Sequence, residues 1–472
     1  MVRRAAIPGD DRHPRRGRRP FDPSGRGRRP VREGGTRLTA AQPAPFRVSE
    51  VVDACLARAE KFEPWLHAFA WLDADRARRL ARAEDARTQH GPLYGLVVGV
   101  KDIIDTAGIP TECGSPLFAG RVPQQSATLV QRLERGGAIV IGKTVTSEFA
   151  YYHPGPTVNP FDPSRTPGGS SMGSAAALAS PALEATGAIG SQTNGSVIRP
   201  AAFCGVVGFK PTHGRIPIDG VMEFAKSLDT IGTFANDVAS AGRIAAVIAG
   251  DDPAKWEAPR PGVPRFAIVR TGDWERADEY ARERFDDDCE ALAEAGAEVE
   301  MPEPLEELDE AVALLRVVMA FEGARAVGPI VDRDPSRASS EIKALIAEGR
   351  SIPEERYREA LAQKRALAKA YATWAAGYDA ILTLPAGGEA PPKDTTGDPR
   401  FCSRWTFLGV PAASVPTGFG PHGLPLGLQV VGKADGDAAL LAVAAWAHDH
   451  RGGWTAAVPE PYPPLRTGDP SR

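Results

Sequence analysis

Short apolar runs with no polar position alternate with helical stretches along this chain, and this alternation restricts the fold more than any other feature. Leu96-Val97-Val98-Gly99-Val100 runs straight into Lys101, and Ala138-Ile139-Val140-Ile141 follows a helical stretch from Thr128 to Arg135. A strand that is apolar at every position is buried on both faces, so helices must cover both sides of the sheet that holds it. The pattern returns downstream, where Phe266-Ala267-Ile268-Val269 precedes a long acidic helix and Glu298 to Met301 reads as the strand that follows. Mostly amphipathic helix runs from about Leu305 to Tyr378. Ala380-Ile381-Leu382-Thr383-Leu384 and Leu426-Gly427-Leu428-Gln429-Val430-Val431 then read as closing core strands, before a last helix from about Asp437 to His448. Packed structure is expected to begin near Ser49, where Val51, Val52, Cys55 and Leu56 recur at helical spacing, and an Arg-rich helix follows around Arg76 to Ala86. The predicted class is α/β, a sheet flanked by helices on both faces.

The 472 residues could make two average domains or one large one; no Ser/Gly linker divides the middle, so a single domain over residues 37–465 is expected. Residues 1–36 differ from the rest. Arg15-Arg16-Gly17-Arg18-Arg19-Pro20 and Arg28-Arg29-Pro30 lack the aliphatic periodicity that would offset ordering entropy, so a disordered Arg/Pro/Gly-rich tail is expected there. Its arginines attract phosphate only without specificity. The net charge of -4 gives no global reason to expect nucleic acid or an anionic membrane as partner, which leaves a small molecule as the default ligand. The five cysteines are scattered and never form a C-x-x-C pair, so neither a disulfide framework nor a zinc site is suggested. No apolar run reaches the roughly 18 residues needed to cross a bilayer, and the N-terminus lacks the apolar stretch of a secretory signal. A cytoplasmic protein is expected.

Three motifs compete for the chemistry. Gly137-Ala138-Ile139-Val140-Ile141-Gly142-Lys143-Thr144 has the letters of a phosphate-binding P-loop, which needs a strand before its first glycine and a helix starting at its lysine. Here the residues between the glycines are themselves the strand, so nucleotide hydrolysis is not expected. Gly169-Ser170-Ser171-Met172-Gly173 fits the G-x-S-x-G elbow of α/β-hydrolases, which would make Ser171 an esterase nucleophile with His448 or His450 as base. The lead-in from Asn159 to Pro167 holds three prolines, which argues against the central strand an elbow requires, so this reading is the runner-up.

The third constellation has parts that fit one another. Lys101 ends an apolar strand, a Gly-Gly-Ser-Ser turn lies downstream, and Thr193-Asn194-Gly195-Ser196 precedes Val197-Ile198-Arg199-Pro200. Alone, Lys101 would read as a strand-end lysine paired with Asp102, and the serines as a flexible loop. Together they supply what amide cleavage needs, a base for the attacking serine and an acid for the departing amine. A lysine does both only when neutral, and bringing its pKa down from about 10.4 towards 7 takes roughly 4 kcal/mol of preference for the uncharged form, which burial can supply. A hydroxyl both donates and accepts, so Ser170 can take the Ser196 proton while passing its own to Lys101. The glycines beside it allow a cis peptide before Ser170. Successive N–H groups of Thr193, Asn194 and Gly195 are expected to converge on the developing oxyanion.

At these residues the chain resembles the amidase signature family, over roughly Thr36 to Pro459. The strongest block runs from Arg165-Thr166-Pro167-Gly168-Gly169-Ser170-Ser171 through Gly195-Ser196-Val197-Ile198-Arg199-Pro200-Ala201 to Cys204-Gly205-Val206-Val207-Gly208-Phe209-Lys210-Pro211-Thr212. Gly99-Val100-Lys101-Asp102, Ser227-Leu228-Asp229-Thr230-Ile231-Gly232 and Gly423-Leu424-Pro425-Leu426-Gly427-Leu428-Gln429 support it. The resemblance implies a large, mixed, twisted β-sheet flanked by helices and a Ser-Ser-Lys triad, with Lys101 as the lysine, Ser170 as the cis-peptide serine and Ser196 as the nucleophile. Thr193, Asn194 and Gly195 would line the oxyanion hole, Ser171 would be a supporting hydroxyl, and Arg199 would organise the turn. The activity implied is hydrolysis of a small-molecule amide through an acyl-enzyme, with release of ammonia or an amine. Many relatives are homodimers that need no metal or cofactor, so a homodimer and no cofactor are expected. The chain departs from the family pattern at Asn194, where paired glycines usually precede the nucleophile, and at Met172, where a small residue is usual. The stretch joining the serines, through Ala179-Ser180-Pro181-Ala182-Leu183-Glu184, is two residues longer than the family's common spacing. The alternative is therefore an amidotransferase-type, weakly active or non-catalytic subunit. Acyl recognition is expected from the stretch Ala313 to Tyr371 and the loop Gly387 to Trp405.

Overall fold

The computed structural model describes residues 47–179 and 186–450. The Arg-rich tail and the longer connection at residues 180–185 lie outside the described residues. The strands are β1 (Phe69–Leu72), β2 (Val97–Lys101), β3 (Ile139–Thr144), β4 (Thr186–Gln192), β5 (Val207–Lys210), β6 (Thr230–Ala235), β7 (Arg265–Ile268), β8 (Glu298–Glu300), β9 (Ala380–Thr383), β10 (Ala412–Phe419) and β11 (Pro425–Val431). They form one 11-stranded sheet in the order β1-β3-β2-β4-β6-β5-β10-β11-β9-β7-β8. β2 runs parallel to β3 and β4, and β7 runs parallel to β8 and β9, while β4 and β6 or β10 and β11 are antiparallel, so the sheet is mixed.

The helices are α1 (Val48–Leu66), α2 (Ala74–Asp85), α3 (Thr128–Arg135), α4 (Met172–Ala179), α5 (Ile198–Cys204), α6 (Val238–Ala249), α7 (Glu279–Glu294), α8 (Glu310–Ala326), α9 (Gly328–Val331), α10 (Ser340–Ser351), α11 (Glu354–Trp374), α12 (Arg400–Leu408) and α13 (Asp437–His450). Strand periodicity sorts them onto two faces, because successive side chains point to opposite sides of a sheet. Val97, Ile139 and Ile141 pack with Val52 and Leu56 of α1 and Ala77 and Ala81 of α2. Their neighbours Val98, Val100 and Val140 join the main core with Leu129 of α3 and Ile244 of α6. Ala188 and Phe234 face Ala175 and Leu178 of α4 and Ala201 of α5, whereas Ile189 faces the main core. Covered on both sides, the apolar strands meet the expectation drawn from their composition.

Sequence periodicity does not reveal β4, β5, β6 or β10. β4 reads Thr-Gly-Ala-Ile-Gly-Ser-Gln, which has the residues of a loop, yet every position is buried between two helical layers. β10 carries Pro416, tolerated where its pairing with β11 slips register between Pro416 and Gly418. The P-loop-like segment is β3, and Lys143 points inward to Asp102 (3.1 Å) and to Thr111 Oγ1 (2.6 Å). Among the described residues no helix is long and apolar enough to cross a membrane.

Candidate active site

The parallel pairing of β2 with β4, with Val100 opposite Ile189, brings the C-terminal ends of both strands together. Lys101 closes β2, and β4 ends at Gln192 just before the turn 193–196. The Gly168–Ser171 loop reaches the same place before α4 begins at Met172, and the peptide bond between Gly169 and Ser170 is cis. Lys101 has no exposed surface, and its Nζ lies within hydrogen-bond distance of Ser170 Oγ (2.7 Å), Ser191 Oγ (2.9 Å) and Ser171 Oγ (3.1 Å). Burial pushes the Lys101 amine down to about 7, against the opposing pull of Asp229. Asp102, its neighbour in the chain, pairs with Lys143 instead. An amine among three hydroxyls and no carboxylate can donate twice and still present a lone pair.

Ser171 is fixed by β4, donating to the Ser191 carbonyl (3.2 Å) and accepting the Ser191 N–H (3.3 Å). It therefore supports Lys101, and neither His448 nor His450 hydrogen-bonds it. His448 pairs with Asp449, and His450 stacks on Trp446 at the end of α13. No strand leads into the double-serine turn, so the elbow reading lacks its scaffold.

Around the turn, Thr193 Oγ1 donates to Asp229 Oδ1 (2.5 Å), and the other Asp229 oxygen accepts the N–H groups of Phe224 (2.8 Å) and Ala225 (2.9 Å). Burial holds the Asp229 carboxyl up, at about 6. The Asn194 side chain lies sideways, donating to Tyr152 OH (3.3 Å) and accepting from Ser403 Oγ (2.5 Å). Among the described residues the N–H groups of Thr193, Asn194, Gly195 and Ser196 have no protein acceptor. Arg199, expected to organise this turn, lies against Gly195 and also reaches the double-serine loop. It donates to Gly169 O (2.6 Å) and Thr396 O (2.9 Å) and so ties α5 to the residue before Ser170. Ser196 is 7% exposed, and the expected hydrogen bond from it to Ser170 is not formed, so Lys101 reaches Ser170 while the last link stays open.

Ser191 and Asp229 were not among the expected site residues. The polar run Ser191-Gln192-Thr193 directly before the turn is a visible signal for the first; Asp229 sits in a block of the chain that carried resemblance but no role.

A cavity of about 550 Å3 meets the turn at Asn194 and is lined by Tyr152, Arg316, Arg400, Ser403 and Arg404, with Ala313 and Leu315 as apolar wall. Both segments expected to recognise the acyl group contribute to it. Its charges are paired within the protein: Arg404 donates to Asp273 (2.7 Å) and Asp309 (2.9 Å), Arg400 to Asp273 (3.0 Å), and Arg316 to Glu348 and Tyr151 OH. An apolar recess of about 40 Å3 between α1 and α4 contains none of the groups around Lys101 and has room for little more than a water molecule. Among the described residues no group of three or more His, Cys, Asp or Glu side chains is arranged to hold a metal ion.

A family model described as Amidase matches residues 50–441. The chain belongs to the amidase family. Within it, the chain is 34% identical to a glutamyl-tRNA(Gln) amidotransferase subunit from Anaeromyxobacter sp. (strain K), over 91% of this chain and 98% of the relative. Among solved amidase-family structures, one described as a crystal structure of an amidase superposes with a TM-score of 0.79 at 29% identity, covering 86% of this chain and 97% of that one. A native peptide amidase from Stenotrophomonas maltophilia superposes with a TM-score of 0.74 at 27% identity, covering 86% and 94%. The fold is thus the amidase-family fold, a mixed sheet of 11 strands flanked by helices.

Proposed function

We propose that this amidase-family chain hydrolyses the C–N bond of a polar small-molecule amide through an acyl-enzyme on Ser196. The observation that carries the reading is the buried Lys101 amine 2.7 Å from Ser170 Oγ, whose pKa burial pushes down to about 7, so that a large share of it is uncharged near pH 7. Ser196 Oγ attacks the carbonyl carbon as its proton passes to Ser170 and the Ser170 proton passes to Lys101. The negative charge on the carbonyl oxygen is received by the unengaged N–H groups of Thr193, Asn194 and Gly195, donors that cost no reorganisation at the moment of reaction. Collapse of the tetrahedral intermediate breaks the C–N bond, and Lys101 returns its proton through Ser170 to the leaving nitrogen. Water then adds to the ester by the same relay and frees Ser196 with a carboxylic acid as product. The open Ser196–Ser170 link is compatible with this, because catalytic hydrogen bonds often tighten only around bound substrate.

The cavity beside Asn194 favours polar acyl or amine groups, since long alkyl chains would have to desolvate three arginines and their partners. The test is ammonia and amine release by the purified chain from a panel of primary, aryl and long-chain amides. Ser196→Ala and Lys101→Ala should each lose more than about 10³-fold in rate. Undiminished turnover by either variant refutes the assigned roles. An alkyl fluorophosphonate should label Ser196; a label on Ser171 would favour the esterase chemistry instead.

The relative named as an amidotransferase subunit favours a second reading, in which nitrogen freed here passes to an acceptor held by a partner protein. Purification from the native source distinguishes the two: a chain that isolates alone and turns over amides at full rate is a hydrolase. One that gains activity only with a copurifying protein and its acceptor belongs to an amidotransferase.

A further inference from the structure

Gln192 and Thr406 are both buried, and neither is used by the steps above. The Gln192 Oε1 accepts the N–H groups of Val197 (2.8 Å) and Ile198 (3.0 Å), the first two amides after Ser196. Its Nε2 donates to Thr406 Oγ1 (2.9 Å), and the Thr406 hydroxyl donates its single proton to the Asn194 carbonyl (2.5 Å). These bonds close a ring around residues 193–196, joining the end of β4, the start of α5 and the last turn of α12.

We propose that Gln192 and Thr406 are positioning residues which hold the 193–196 turn so that its N–H groups face the reacting carbonyl oxygen. The ring occupies the turn's outward polar groups, the Asn194 carbonyl on one side and the Val197 and Ile198 amides on the other. Among the described residues the N–H groups of residues 193–196, which the ring encloses, remain without protein acceptors. Only a carboxamide fits position 192: it must accept twice on one atom and donate from the other. Glutamate would keep the two accepted bonds but turn a lone pair towards Thr406. Thr406 would then have to swing its proton to that carboxylate and release Asn194. The proposal rests on the acyl-transfer reading, because a turn with no oxyanion to bind would need no such aim.

The test uses the purified full chain and the best amide from the panel, with Gln192→Glu, Thr406→Val, Thr406→Ser and the Gln192→Glu/Thr406→Val double variant. Gln192→Glu and Thr406→Val should each lower kcat about 10–100-fold, less than outright loss of an oxyanion donor, with KM within about threefold of the parent. Thr406→Ser, which keeps the hydroxyl, should recover most of the rate that Thr406→Val loses. Because both residues act through one ring, the double variant should be no slower than the worse single. The rate of Ser196 labelling by a fluorophosphonate, whose P=O oxygen stands where the oxyanion forms, should fall in the same order. Multiplying losses, a rise in KM with kcat unchanged, or a Thr406→Ser as slow as Thr406→Val would overturn the positioning role. If the parent is active or labelled and the variants match it within threefold, the ring alone fails. If the parent neither cleaves amides nor takes the label, the hydrolase reading fails and the ring with it.

Discussion

Lys101 is the residue through which pH should act. Its conjugate acid cannot accept the Ser170 proton, so below about 7 kcat/KM should fall by close to tenfold per pH unit, and above that value it should level off. A pH–rate profile that is flat between 5 and 8 would count against a lysine base. Asp229 adds a second, sign-specific expectation. Its carboxylate raises the Lys101 pKa, so Asp229→Asn should move the acid limb to lower pH. The substituted amide can still turn its oxygen to the Phe224 and Ala225 N–H groups and donate to Thr193, which keeps the turn in place. Lys101, Ser170 and Ser196, the proposed triad, stand out in the sequence because each is an odd residue in its setting: a lysine on an apolar strand, serines beside glycines. Ser191 and Asp229 do not, since a serine or aspartate near a loop is ordinary until its partner is known.

Elements built from small residues decide how closely the site assembles. Gly195 is an example: a Cβ there would sit 2.7 Å from Arg199 Nη1 and 3.1 Å from Pro399 Cβ, so the turn can sit against α5 and the start of α12 only without a side chain. Gly195→Ala should therefore cost at least about 100-fold in kcat, because a displacement near 1 Å is enough for that. Its stability loss should stay within about 1–3 kcal/mol, read as a modest drop in Tm. In β4 the same economy hides the strand from a periodicity search. A Cβ at Gly190 would meet Ser171 Oγ at 2.6 Å and Phe234 Cε2 at 2.7 Å, so the position is glycine to admit Ser171, at the expense of strand propensity. β2, β3 and β9 announce themselves because apolar side chains fill at least half of their positions.

At the scale of the molecule, the cavity wall joins parts of the chain far apart in sequence. Arg404 of α12 holds Asp273, after β7, and Asp309, before α8. Arg404→Met leaves the mostly buried Asp273 with Arg400 but one guanidinium short, and should cost about 1–3 kcal/mol in urea unfolding, with a raised KM. All residues assigned to the site lie after residue 47, and we propose that residues 1–36 are dispensable for it. A chain starting at residue 37 should keep the parent Tm and kcat, and a loss of more than about threefold in kcat would refute this. The sequence alone determined the class of fold, through strands apolar on both faces, and supplied the residues of the proposed site, a lysine, two serines and a glycine turn in a fixed order. Only the tertiary structure decided which hydroxyls surround Lys101, where Asn194 points and which arginines wall the cavity. The reason is physical: periodicity and residue type are local properties of the chain. A hydrogen bond between residues 192 and 406, or an amine made neutral by burial, exists only once distant segments exclude water together.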